Sequence, residues 1–305
     1  MEDRRLTLRD GREIAYCVAG PADGLPVFLF HGIAESRFMV SPDAASLERL
    51  GIRLIAVDRP GVGGSSYRRR RTILSWADDV AALGDHLECR TFAVLGRSAG
   101  VPYALACAYA LPERVTAATV VSGVGPPTLD VAKAVFGTQF WKLALGLRFA
   151  PLVMRAGLWL TFHAAGWYVR PRLGRFLDRH VAHLPEADRA TLANPALRDV
   201  RLRSMTESFS SGPRGLYQDL SLLVRRWGFN PADIRVPVRL WHGEADNIVS
   251  VAFGRLLASR LPDCEAHFLP DLGHYLLFSH WDQILATAKA DTLRHLNLSR
   301  STPSL

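Results

Sequence analysis

One pentapeptide constrains this chain more than any other stretch: Gly96-Arg97-Ser98-Ala99-Gly100. It follows Thr91-Phe92-Ala93-Val94-Leu95, which reads as a buried strand, and runs straight into Val101 to Leu111, which reads as a helix. A Gly-x-Ser-x-Gly at a strand-to-helix turn has the makings of a nucleophile elbow. The two glycines let the backbone turn sharply, since a Cβ at either place would crowd the neighbouring strand and helix. The serine hydroxyl is then lifted off the end of the sheet, over a helix N-terminus.

The flanking sequence supplies a sheet for that elbow to sit on. Asp10-Gly11 separates two alternating runs, Leu6-Thr7-Leu8 and Glu13 to Val18, and predicts an antiparallel hairpin. Short continuous apolar runs follow at Val27 to Phe30, Leu54 to Val57, Phe92 to Leu95 and Ala117 to Val121, as strands buried on both faces require. Helices are expected between them, at Ala44 to Leu50 and at Trp76 to Leu87, the latter opened by a capping box of Ser75 and Asp78. From residue 126 to residue 232 the strand pattern stops. Helical stretches replace it, at Val131 to Leu147, Pro151 to Trp167, Arg172 to Ala182, Glu186 to Leu192 and Met205 to Val224. Strands resume at Val236 to Trp241 and Ala266 to Leu269, and an amphipathic helix from Trp281 to Leu296 closes the chain. The expectation is an α/β core (1–125 and 233–305) with helices on both faces of a mostly parallel sheet, carrying an all-helical insertion (126–232).

Composition narrows the partners. The formal net charge is +8, almost all of it arginine, since Lys133, Lys142 and Lys289 are the only lysines. A bias spread along the whole chain does not make a nucleic-acid site, and none is expected. Arg68 to Arg71 is the one local concentration, and it reads as a solvated loop edge or a contact for an acidic group. Cys17, Cys89, Cys107 and Cys264 lack metal or redox spacing and read as reduced core thiols. No apolar run follows Met1 to Arg5, so a cytoplasmic protein without a secretory signal is expected. The insertion's first half is rich in apolar residues, among them Phe140, Trp141 and Trp159, but lacks an unbroken span of about 20 apolar residues for a membrane helix. It reads either as a lid over a lipophilic pocket or as ordinary helix packing. Membrane contact is not expected, and a homodimer surface remains open.

Chemistry-bearing residues fall in order around Ser98. His31-Gly32 ends the first buried strand, Asp246 follows the strand ending at Trp241, and Gly273-His274 follows the last one. Loops at the carboxyl ends of parallel strands are where ligands bind. A serine hydroxyl needs a base to take its proton, and the base needs an acid to hold its tautomer. His274 and Asp246 are placed for those roles; Asp130, after an earlier strand, is the alternative acid. His180 and His183 stand one helical turn apart, but two ligands do not make a metal site. No metal or cofactor is expected.

These pieces, with Asp58-Arg59-Pro60-Gly61-Val62-Gly63-Gly64-Ser65 and Pro112-Glu113-Arg114-Val115, resemble the α/β-hydrolase superfamily, in the subgroup with a helical cap. The resemblance runs from about residue 6 to residue 296. It implies a catalytic triad of Ser98, Asp246 and His274, with an oxyanion hole made by the main-chain N–H groups of Ile33 and Ala99. His31, Arg97, Phe140, Trp141 and Trp159 are candidate substrate contacts. A serine at the elbow sets the chain apart from relatives that use Asp or Cys there, and His31-Gly32-Ile33-Ala34 is neither the His-Gly-Gly-Gly of hormone-sensitive-type lipases nor the loop of proline iminopeptidases. Where relatives carry Glu five residues after the histidine, this chain has Ser279. The implied activity is hydrolysis of an ester, lactone or thioester of a small, largely apolar molecule through a Ser98 acyl-enzyme. The alternatives are C–C bond hydrolysis of a vinylogous keto acid, with Arg97 and arginines of the cap on a carboxylate, and a slow-turnover ligand receptor.

Overall fold

The computed structural model describes residues 1–126, 146, 149–150, 152–154, 156–157, 159–160 and 173–301. Asp10-Gly11 makes the expected turn, with Gly11 at φ 81°. It joins β1 (Glu2–Thr7) to β2 (Glu13–Ala19) in antiparallel register, Thr7 opposite Glu13. The sheet continues through β3 (Leu25–Phe30), β4 (Ile52–Val57), β5 (Phe92–Arg97), β6 (Val115–Val121), β7 (Val238–Gly243) and β8 (Cys264–Leu269). Its order is β1-β2-β4-β3-β5-β6-β7-β8, and every pairing from β4 onward is parallel.

Successive residues of a strand point to opposite faces, so a continuously apolar strand feeds two cores. In β3, Phe28 and Phe30 join one cluster while Val27 and Leu29 join the other. The first cluster packs against α2 (Trp76–His86), α3 (Val101–Ala110) and α8 (Val251–Ala258). Aromatic edges fill it: Phe28 meets Phe92 at 4.6 Å and Phe30 meets Trp76 at 5.4 Å. The second cluster is covered by α1 (Ala44–Leu50), the short α9 (Leu276–Ser279) and α10 (Trp281–Ser301). Helices therefore lie on both faces of the sheet.

Between β6 and β7 the described residues form α4 (Leu173–Ala182), α5 (Glu186–Leu192), α6 (Pro195–Ser208) and α7 (Arg214–Leu223), and no strand. The expected helices at 131–147 and 151–167 lie wholly or largely outside the described residues. The single helix expected from Met205 to Val224 is two, because Gly212 at φ 82° and Pro213 break it. The expected capping box is also absent. Ser75 is itself helical at φ −66° and ψ −6°, and its hydroxyl turns back to donate to the Thr72 carbonyl at 3.0 Å.

The insertion is bolted to the core by buried charge. Asp219 on α7 accepts from Arg59 Nε at 2.9 Å and from the Tyr103 hydroxyl at 2.9 Å, and it pairs with Arg71. The arginine run is thus not simply a solvated edge: Arg71 is 5% exposed and Arg68 bonds the Ser75 carbonyl at 2.9 Å, while Arg69 and Arg70 face solvent. Beside this cluster the two backbones touch, since a Cβ on Gly215 would overlap the Gly61 carbonyl. Cys17, Cys89 and Cys107 are buried, Cys264 is half-buried, and all are free thiols.

Candidate active site

β5 delivers Ser98 at the sheet's carboxyl edge. Arg97 is still extended at φ −113°, and Ser98 then swings to φ 53°, the left-handed region that L residues avoid. Both glycines are sterically required. A Cβ on Gly96 would stand 2.7 Å from the Gly100 carbonyl and 2.8 Å from Ala104 Cβ, and one on Gly100 would overlap the Phe30 carbonyl. Ala99 follows in the first helical turn, where main-chain N–H groups have no intrahelical acceptor.

β7 and β8 bring the other two groups. His274 Nδ1 and Asp246 Oδ2 are 2.8 Å apart. The second oxygen, Oδ1, accepts the main-chain N–H groups of Ile248 at 2.9 Å and Val249 at 2.8 Å, so the carboxylate is fixed at both ends. Burial works to raise the Asp246 pKa, but the His274 charge and hydrogen bond outweigh it, and the group titrates below its ordinary range. Behind it His242 bonds the Val249 carbonyl at 2.9 Å, and burial holds this imidazole below its ordinary pKa.

Ser98 and His274 open into one cleft of about 240 Å³. Ile33, Met39, Leu177, Met205 and Ile248 give it apolar walls; Glu35, Arg97, His180 and Arg201 give it polar ones. Asp130, the alternative acid, lies outside the described residues, as do Phe140 and Trp141. Trp159 does not face this cleft: it is 53% exposed and borders a separate groove with Tyr67, Arg69 and Pro213. His31 is not in the cleft either. It lies behind the loop, 3% exposed, with Nδ1 2.8 Å from the Gly32 carbonyl and Nε2 accepting from the Arg59 N–H at 3.4 Å. Burial, then the Arg59 charge, hold it well below its ordinary pKa, so it is a neutral brace for the turn.

Other residues shape the site by contacts that the sequence does not assign to them. Arg59 reaches the carbonyls of both His31 and Gly32, the latter at 3.0 Å, and Glu35 accepts the Gly32 N–H at 2.7 Å. The His31–Gly32 peptide is thereby held on both sides, and the carbonyl before Ile33 is held as well. Glu35 also pairs with Arg97, whose guanidinium lies 4.8 Å from the Tyr275 ring centre. Asp188, on α5 of the insertion, accepts the main-chain N–H groups of His274 and Tyr275, each at 2.8 Å. Gly273 makes room for it, since a Cβ there would overlap the Asp188 carboxylate.

The sheet order and the placement of this cleft are those of an α/β-hydrolase. The chain belongs to the serine aminopeptidase S33 family, which residues 23–280 match. It is 38% identical over 123 residues to a non-heme chloroperoxidase of Streptomyces lividans, covering 40% of this chain and 45% of that protein. Over 194 residues it is 32% identical to the magnesium-chelatase 30 kDa subunit of Rhodobacter capsulatus, covering 62% of this chain and 64% of that one. The chain thus spans less than two thirds of the length of either relative. An esterase from Rhodococcus sp. ECU1013 superposes with a TM-score of 0.66 at 22% identity, covering 95% of this chain and 99% of that one, a likeness of fold.

Proposed function

We propose that this protein is a serine hydrolase of small ester-type substrates. Ser98 attacks the carbonyl, His274 takes its proton, and Asp246 holds the imidazole with the free nitrogen toward the cleft. The main-chain N–H groups of Ile33 and Ala99 receive the oxyanion; one such donor is typically worth about 2.7–4 kcal/mol in the transition state. His274 then returns the proton to the leaving alcohol, and water attacking the acyl-enzyme completes the cycle.

The observation that carries this reading is the shared cleft. A serine in a left-handed elbow and an imidazole bonded to a buried carboxylate face the same small cavity. Apolar walls beside them suit a short hydrocarbon part.

The test is turnover of p-nitrophenyl esters of graded chain length by wild type and Ser98→Ala. Loss of about 10⁴-fold or more in kcat is expected for the variant. Fluorophosphonate labelling of wild type alone is the second readout. Turnover that survives in Ser98→Ala, or wild type that neither turns over nor labels, refutes the proposal.

A further inference from the structure

Among the described residues, six arginines are almost fully buried: Arg37, Arg59, Arg71, Arg97, Arg201 and Arg239. Five are ion-paired: Arg37 with Asp3, Arg59 and Arg71 with Asp219, Arg97 with Glu35, and Arg239 with Asp291. Arg201 is the exception. It is 8% exposed, lines the cleft with Ser98 and His274, and has no carboxylate partner among the described residues. Its guanidinium lies over the face of Tyr275, 5.0 Å from the ring centre, and Asp178 feels its charge without forming an ion pair with it. A buried guanidinium left without an anion is strongly disfavoured, and the stack on an aromatic ring offsets only part of that.

Arg97 points the same way. Glu35 engages its Nη1, while Nε and Nη2 are buried without an acceptor. Arg97 and Arg201 both pack on Tyr275, the residue after His274, so two guanidinium groups share one wall beside the reacting groups. His180, also in the cleft, is held below its ordinary pKa by burial and then by the Arg201 charge, and adds no lasting anion.

We infer that the substrate carries a free carboxylate a few bonds from its scissile carbonyl, and that Arg201, assisted by Arg97, binds it. This rests on the serine-hydrolase reading above for the scissile bond, but the carboxylate site does not depend on turnover. A planar guanidinium offers parallel donors that match a carboxylate, and burial leaves the pair little screened. Arg201 comes from α6 of the insertion and Arg97 from β5 of the core, so the anion bridges the two layers.

The experiment compares mono-p-nitrophenyl glutarate with p-nitrophenyl pentanoate, an uncharged ester of equal chain length. Wild type should favour the charged ester in kcat/KM by about tenfold or more. Arg201→Gln should lower that selectivity by about tenfold, through KM more than kcat, and Arg201→Lys should restore part of it. Equal selectivity in wild type and Arg201→Gln overturns the inference. If Arg201→Gln does not fold, calorimetric binding of glutarate to Ser98→Ala decides the matter. Binding that weakens when Arg201→Lys is added to Ser98→Ala supports the carboxylate site, and no binding, or binding that Arg201→Lys leaves unchanged, refutes it. Glutarate binding with no ester turnover by wild type would sink the hydrolase reading and keep the anion site.

Discussion

At the residue scale, the site is a set of side chains each allowed one job by its neighbours. Asp246 spends Oδ1 on the loop N–H groups of Ile248 and Val249, which leaves Oδ2 for His274. Asp246→Asn keeps the first contact and puts an amide donor against the imidazole N–H, which favours the wrong tautomer. Its kcat is expected to fall by about 10⁴-fold with the melting temperature little changed; steady-state kinetics beside a thermal melt check this. Ser98, Asp246 and His274 stand out in the sequence because each follows the carboxyl end of an apolar strand, where ligands bind. Arg201 and Glu35 do not. Nothing local separates a buried arginine from the many exposed ones in an arginine-rich chain.

At the element scale, the insertion does more than cover the cleft. Asp188 on α5 receives two N–H groups from the loop that carries His274, work that no local sequence pattern assigns to it. Asp188→Ala leaves both N–H groups without their acceptor and frees the loop. It is expected to lower kcat about 10–100-fold with a smaller change in KM, and Asp188→Asn, which keeps one acceptor oxygen, should fall between. A variant with wild-type kcat would show that the loop holds without α5. The Asp219 cluster is the mechanical link. Asp219→Ala strands Arg59 and Arg71 in the interior and is expected to destabilise the fold by about 3–5 kcal/mol, read from denaturant unfolding. The strands and the N-terminal hairpin could be read from short apolar runs and turn signals; the order of the strands in the sheet could not. The packing of α5, α6 and α7 could not, because it depends on contacts such as Gly61 with Gly215 that no periodicity encodes.

At the scale of the whole molecule, buried titratable groups set the response to pH. His31 and His242, both buried, are held below their ordinary pKa, in each case chiefly by that burial. Below about pH 6.5 the unfolded chain takes up protons that the fold refuses, so the stability these residues protect is full above that point and is lost as pH falls. Asp58, pushed up to about 6 by burial, and Asp188, also raised by burial, act in the opposite sense between about pH 4 and 6. Asp219 is held below the carboxylate range by Arg59 and Arg71 against its own burial, so its contribution fails only below about pH 4. The melting temperature is expected to fall from pH 7 to pH 5, and His242→Gln to flatten that slope. A melting temperature that rises over the interval contradicts the buried neutral histidines.

Fold class and the elbow turn rest on short-range patterns: period and glycine placement. Those patterns are local, and the amino-acid order was enough to establish them. Which arginine goes unpaired, which carboxylate braces the histidine loop, and which aromatic residue faces away from the cleft depend on segments a hundred or more residues apart meeting in space. Burial and pairing are properties of that meeting, and only the folded chain carries them.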